Sequence, residues 1–278
     1  MRRARLAPAL VAMVLGSTPA LAQQQDEPLW EAGLGIASIY FPHYRGSEQS
    51  RAYVLPAPYF VYRGDFFKAD RNGVRGIFYR DDLVDLNMSV GASLPVDSED
   101  TRAREGMTDL DPSIELGPSL DITLWRSANR RAKLDLRTPL RGAITISSHP
   151  KFIGFQFFPH LNLDFPDPAG YTGWNLGVLA GPVFTDSRYN RYFYEVAPEF
   201  ATASRPAYAP PGGGFAGTQF LVALSKRFPK VWVGGFARYD TLQGAKFEES
   251  PLVTSKHYFA AGIAVSWIFG ESSQRVPK

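Results

Sequence analysis

Phe259-Ala260-Ala261-Gly262-Ile263-Ala264-Val265-Ser266-Trp267-Ile268-Phe269 is the stretch on which the fold turns. Read two residues at a time, Phe259, Ala261, Ile263, Val265, Trp267 and Phe269 form one unbroken apolar face. Tyr258, Ala260, Gly262, Ala264 and Ser266 form the other. A period of two is that of a β-strand, and the run exceeds the usual ~5–6 residues of a soluble strand. An apolar face this long beside a face of small residues suits a strand with lipid on one side and a crowded barrel interior on the other.

The same reading extends upstream. Val84, Leu86, Met88, Val90, Ala92 and Leu94 alternate with Asp85, Asn87, Ser89, Gly91 and Ser93. Ile114, Leu116, Pro118, Leu120, Ile122 and Leu124 alternate with Glu115, Gly117, Ser119, Asp121 and Thr123. Leu134, Leu136, Leu140 and Ile144 oppose Lys133, Asp135, Arg137 and Arg141. Ile153, Phe155, Phe157, Leu161 and Leu163 oppose Gly154, Gln156, His160, Asn162 and Asp164. A soluble sandwich also alternates, but its polar face meets bulk water and is rich in Lys, Glu and Thr. Here that face holds Gly, Ser, Asn and isolated charges of both signs. Aromatic residues gather at segment ends (Tyr40-Phe41, Tyr59-Phe60, Phe78-Tyr79, Trp125, Phe165, Trp174, Phe184, Phe228), as interfacial girdles do.

Composition agrees. The 278 residues are 45% hydrophobic and 21% charged, which excludes a disordered chain, and no cysteine is present. A formal charge of +3 hints at an acidic partner until its location is found. Arg2, Arg3 and Arg5 precede the apolar run Leu6–Leu15, and Ala20-Leu21-Ala22 is a small-x-small cleavage site. Residues 1–22 therefore read as a secretory signal, too short in its apolar part to span a bilayer. Losing those three arginines brings the 30 basic residues level with the 27 acidic ones. The exported chain is formally neutral and carries no nucleic-acid footprint.

The fold expected is all-β, an antiparallel transmembrane β-barrel of the bacterial outer membrane formed by residues 23–278, with a short tail over 270–278. About twelve strands are counted, near 30–40, 52–62, 65–70, 74–80, 83–94, 112–125, 132–145, 152–165, 173–184, 215–228, 231–241 and 257–269. Connections after the even-numbered strands are short, whereas 95–111, 185–214 and 242–256 are long and share the other end, as periplasmic turns and outer loops do. Leu55-Pro56-Ala57-Pro58 sets two prolines on one face, and a bulge or local break in the ladder is expected there. The hairpin over 65–80 is short for a bilayer; without it the count is about ten.

Several blocks resemble the MipA/OmpV family. They are Leu55-Pro56-Ala57-Pro58-Tyr59-Phe60 with Tyr62-Arg63-Gly64-Asp65, Lys68-Ala69-Asp70 and Gly73-Val74-Arg75-Gly76. SLPVDSED (93–100), DLDPSIELGPSL (109–120), FPHLNLDF (158–165), GWNLG (173–177), RYFYEV (191–196), ATASRPAY (201–208), RYDTLQGAKFEESPLV (238–253) and AVSWIF (264–269) follow in order. The resemblance implies a barrel in the Gram-negative outer membrane, in contact with its lipid and lipopolysaccharide. For the family's best-known member it implies a non-enzymatic scaffold joining a murein lytic transglycosylase to a bifunctional penicillin-binding protein. Other members are described as porin-like or as adhesins.

No catalytic, cofactor or metal constellation is read. His43, His149, His160 and His257 show no paired-ligand spacing. Ser147-Ser148-His149 sits in a loop, where adjacent residues rarely make a working pair. Gly212-Gly213-Gly214 opens no helix after a strand and is no phosphate cradle. Folding three strands about their turns instead brings lumen charges together. Glu115 is expected opposite Arg141, Asp121 near Arg137, Lys133 opposite Asp164, Arg137 opposite His160 and Arg141 opposite Gln156. With Asp135, these residues form an expected structural charge network, because an isolated charge in a narrow lumen is poorly solvated. A solute-selective channel is the second reading. An adhesin, resting on aromatic loop 185–214 with Tyr189, Tyr192, Phe193, Tyr194 and Tyr208, is the third.

Overall fold

Alternating segments can bury their small-residue faces only by closing on one another, and they do. The computed structural model describes residues 26–64, 67–70, 73–129 and 131–276. The predicted export signal and residues 65–66 and 71–72 lie outside them. The strands are β1 (Trp30–Pro42), β2 (Ser50–Arg63), β3 (Phe67–Asp70), β4 (Gly73–Arg80), β5 (Val84–Ser93) and β6 (Ser113–Arg126). They continue with β7 (Lys133–Thr145), β8 in two halves (Phe152–Phe157 and His160–Pro166), β9 (Trp174–Thr185), β10 (Gly214–Arg227), β11 (Val231–Thr241) and β12 (His257–Glu271). Each pairs antiparallel with the next, both halves of β8 join β9, and β12 pairs with β1 to close the ring. Outside the ring, Glu27–Pro28 pairs with Arg275–Val276, so part of the expected tail is tied to the N-terminal segment.

The closing strand behaves as its alternation requires. Phe259, Ile263, Trp267 and Phe269 are 63–71% exposed, while Tyr258, Ala260, Gly262 and Ser266 are buried. Leu34, Ile36, Leu116, Leu120, Leu140, Phe155, Leu161 and Phe220 extend this apolar exposure around the ring. A belt of this size is far beyond what water tolerates and marks the lipid face. No helix among the described residues is long and apolar enough to cross a membrane.

Two details depart from the alternation. Tyr59 turns inward onto Trp232 (5.9 Å between ring centroids) instead of joining a girdle. Ile153, expected on the lipid face, is buried. Ala143 pairs with Gly154 and Ile144 with Phe152, so Ile153 is the extra residue of a β-bulge and its side chain swings inside. The bulge is made possible by Gly154 at φ +127°, where a Cβ would lie 2.3 Å from Asp186 Oδ1 and 2.4 Å from Tyr189 N. That close approach seats the one α-helix among the described residues, α1 (Ser187–Tyr194), against β8, with Asp186 capping its N-terminus through Tyr189 N (2.8 Å).

The proline pair of β2 has its effect on one flank only. β2 pairs with β1 without a register shift from Trp30–Tyr62 to Pro42–Ser50. On its other flank only Tyr62 and Arg63 pair with β3 among the described residues. At four residues β3 is too short to cross the hydrocarbon, although its hairpin with β4 completes the ring at the short-turn end.

Candidate functional site: a charged lumen under a folded cap

The short turns at Ser127–Arg131 and Asp167–Gly170 set the register of β6, β7 and β8, since in an antiparallel pair one turn fixes every opposing residue. Asp121 pairs with Arg137, Lys133 with Asp164, Arg137 with His160, and Arg141 with Gln156. Glu115 stands opposite Ala143 and reaches Arg141 diagonally, at 3.7 Å, so the expected direct pairing is displaced by one pleat. Arg137 is the hub, with Asp164 at 3.3 Å, Asp135 at 3.5 Å and Asp121 at 3.6 Å. Lys133 adds a contact to Asp135 at 2.9 Å. Arg141 also donates to Ser89 Oγ (2.8 Å). His160 stacks on Phe158 (4.4 Å), its Nδ1 within 2.8 Å of the Phe158 carbonyl. All eight side chains singled out in the sequence are thereby brought to one wall of the lumen.

Two further charge clusters escape the turn-counting argument because they join strands that are not neighbours. At the short-turn end Glu31 of β1 is buried between Arg227 of β10 (2.6 Å) and Arg63 of β2 (2.7 Å). Strands β11 and β12 lie between β10 and β1, so Arg227 reaches across the lumen floor, as Trp232 does to Tyr59. At the other end Asp240 is fully buried between Arg238 (2.7 Å) and Arg45 (3.7 Å), while Arg45 Nε donates to Tyr258 Oη (2.9 Å). A lone acid in an otherwise Gly- and Ala-rich inner face, as Glu31 is beside Gly33, Gly35 and Ala37, is the one sequence signal that pointed to the floor.

The long loops are a packed cap. Tyr44, Val96, Leu110, Tyr189, Phe193, Tyr194, Leu242, Phe247 and Leu252, drawn from four loops, share one buried core. Tyr194 stacks flat on Phe247 with centroids 3.7 Å apart. Loop-to-loop hydrogen bonds tie the rest: Tyr44 Oη to the Leu252 carbonyl (2.6 Å), Tyr194 Oη to the Arg45 carbonyl (3.0 Å), and Ser250 Oγ to the Tyr194 carbonyl (2.7 Å). Tyr189 Oη reaches down to Glu115 (3.1 Å), joining cap and lumen wall. Burial raises the Tyr44, Tyr189 and Tyr194 hydroxyls above the ordinary phenol range, so they remain donors. Tyr189, Phe193 and Tyr194 are therefore core residues of the cap and not exposed loop contacts.

His43 sits in this cap, its Nδ1 2.7 Å from Thr101 Oγ1. Burial, then the charge of Arg51, holds its pKa below the ordinary 6.5. A folded-state pKa below the unfolded value favours the neutral ring, so its stabilisation is present above about pH 6.5 and is lost as pH falls below that value. Hydrogen-exchange protection of 98–104, corrected for the intrinsic rate, is expected to fall as the buffer passes below about pH 6.5. Unchanged protection across that window would discard the assignment.

The remaining candidates do not assemble chemistry. Ser148 Oγ lies 3.1 Å from His149 Nδ1, but both are exposed, and among the described residues no carboxylate orients the ring. Among the described residues no three His, Asp or Glu side chains converge as a metal site requires.

A closed antiparallel ring with an apolar outer belt, a charged interior and a cap built from its long loops defines an outer-membrane β-barrel. The family model for "MltA-interacting protein MipA" matches residues 34–269, and the chain belongs to that family. It is 25% identical over 217 residues to outer membrane protein OmpV of Vibrio cholerae serotype O1, covering 76% of each chain. Outer membrane protein Omp26La of Vibrio anguillarum matches to the same extent. Among solved structures, the toluene transporter TodX of Pseudomonas putida aligns with TM-score 0.33 at 9% identity, covering 86% of this chain and 89% of that one.

Proposed function

We propose that this barrel is a non-enzymatic outer-membrane scaffold, exported by the signal over residues 1–22. Its short-turn end would face the periplasm and hold a murein lytic transglycosylase together with a bifunctional penicillin-binding protein. The observation that carries the reading is the match over residues 34–269 to a family named for interaction with MltA. The lumen charges, centred on Arg137, brace the wall in this reading and select no solute. A cap packed as a core at one end and the Glu31–Arg227 and Tyr59–Trp232 contacts across the other speak against an open channel. Less supports the adhesin reading, because Tyr189, Phe193 and Tyr194 are buried in the cap, while Tyr192 and Tyr208 are only partly buried against it.

Affinity capture of the barrel from detergent extracts is expected to bring down a murein lytic transglycosylase. Replacing turns 127–131 and 166–170 by Gly-Ser of equal length should abolish that capture. No co-purification, together with steady conductance in planar bilayers, would move the assignment to the channel.

A further inference from the structure

Beneath the cap lies a cavity of about 710 Å³, within the size range of small-molecule sites. Strands β6, β7 and β8 contribute only alternate, inward residues to it, such as Glu115, Asp121, Arg137 and Arg141. β5 differs: the whole run Ser89–Leu94 lines the cavity, inward and outward positions alike. β9 also gives a consecutive run, Gly177–Leu179, but between two paired neighbours, whereas the run on β5 coincides with a bare edge. The pairing agrees, because among the described residues Met88–Ser93 pair only with β6 and the outer part of β2 pairs only with β1. Only two residues join Asp70 to Gly73, far too few to supply the missing neighbour at ~3.4 Å per residue. Pro56 and Pro58 match this edge: alternate positions address one flank, and neither residue has an N–H to leave unpaired.

We propose that the barrel wall is open sideways between the outer parts of β2 and β5, and that the cavity behind it binds a neutral, single-tailed amphiphile drawn from the membrane. The mouth lies among lipid-facing residues, with Val54, Val90 and Leu94 all exposed, so what enters comes from hydrocarbon. Inside, the wall opposite the charges is apolar, made by Ile39, Leu55, Leu179, Leu221 and Phe236. That wall suits a tail. The head is neutral because the cavity's charges already have partners: Glu115 with Arg141, Asp121 and Asp164 with Arg137, and Asp240 with Arg45 and Arg238. An added ion would displace one of these pairs at the cost of a buried charge. Gln156 and Gln219 face the cavity with no side-chain hydrogen bond among the described residues, and the bare edge of β5 offers carbonyls. A hydroxyl or amide head satisfies both.

The test uses the full mature chain in lipid nanodiscs with a diazirine-bearing dodecanol, and maps photo-labelled residues by mass spectrometry. Label is expected on Ser89–Leu94 and on the inward residues of β10 around Leu221. Ala92→Trp at the mouth, with Val90→Trp as a second mouth variant, and Leu221→Trp in the cavity should each reduce that label roughly tenfold. Ala261→Trp, on the lipid face of β12, should leave it unchanged. Heat-modifiable gel mobility establishes that each variant is folded. Label confined to outward-facing residues would overturn the site, and undiminished label in both folded mouth variants would overturn sideways entry. Equal labelling of the lumen by the corresponding dodecanoate probe would overturn the neutral head.

Discussion

Replacing Phe247 by Ala is expected to undo the cap while leaving the ring intact. The Phe247 side chain is almost fully buried, lies flat on Tyr194, and belongs to the apolar core that the three long loops share with the loop carrying Tyr44. Truncating such a ring removes its transfer free energy and leaves a void, at a cost of about 3–5 kcal/mol. The ring of strands does not share that cost, because its stability comes from inter-strand pairing and lipid contact. Loop 186–213 should therefore become susceptible to proteinase K in Phe247→Ala, while the barrel keeps its heat-modifiable mobility on gels. A variant as protease-resistant as the parent would show that the cap is held by the barrel rim and not by its own core.

Arg137→Met should weaken the ring itself. Three carboxylates, Asp121, Asp135 and Asp164, stand within 3.6 Å of that guanidinium, and none of the four side chains is more than 15% exposed. Removing the cation leaves like charges facing one another in a poorly solvated wall, a loss of about 3–5 kcal/mol. Its neighbour Lys133 reaches Asp135 and compensates only one of the three. The unfolding midpoint in urea, followed by tryptophan fluorescence, should fall, and adding Asp164→Asn should restore part of it. If Arg137→Met unfolds with the parent, the wall charges are solvated by lumen water and brace nothing.

How much of this was legible in the sequence depends on whether a contact is local along the ring. Period-two alternation and the sorting of loop lengths are properties of consecutive segments, and from them come the strands, their number and the lipid face. The pairings across β6, β7 and β8 follow as well, because a short antiparallel turn determines every opposing residue. Glu115 and Arg141 show the limit of such counting: side chains that long meet on a diagonal as readily as straight across. Ile153 shows another. One extra residue in a bulge reverses a side chain, and the glycine that permits it reads in sequence like any other.

What the sequence by itself determined is the class of object: a cysteine-free chain whose long alternating strands belong in a membrane. Its family was legible too, from motifs spread along the chain. Only the tertiary structure decided what the interior does. The cap, the floor at Glu31 and the cavity between them are made by residues far apart in the chain, such as Glu31 with Arg227 and Tyr44 with Leu252. No periodicity encodes those contacts. They arise when the ring closes and brings non-neighbouring strands and loops to face one another across a lumen, where burial forces each charge and hydroxyl to find a partner.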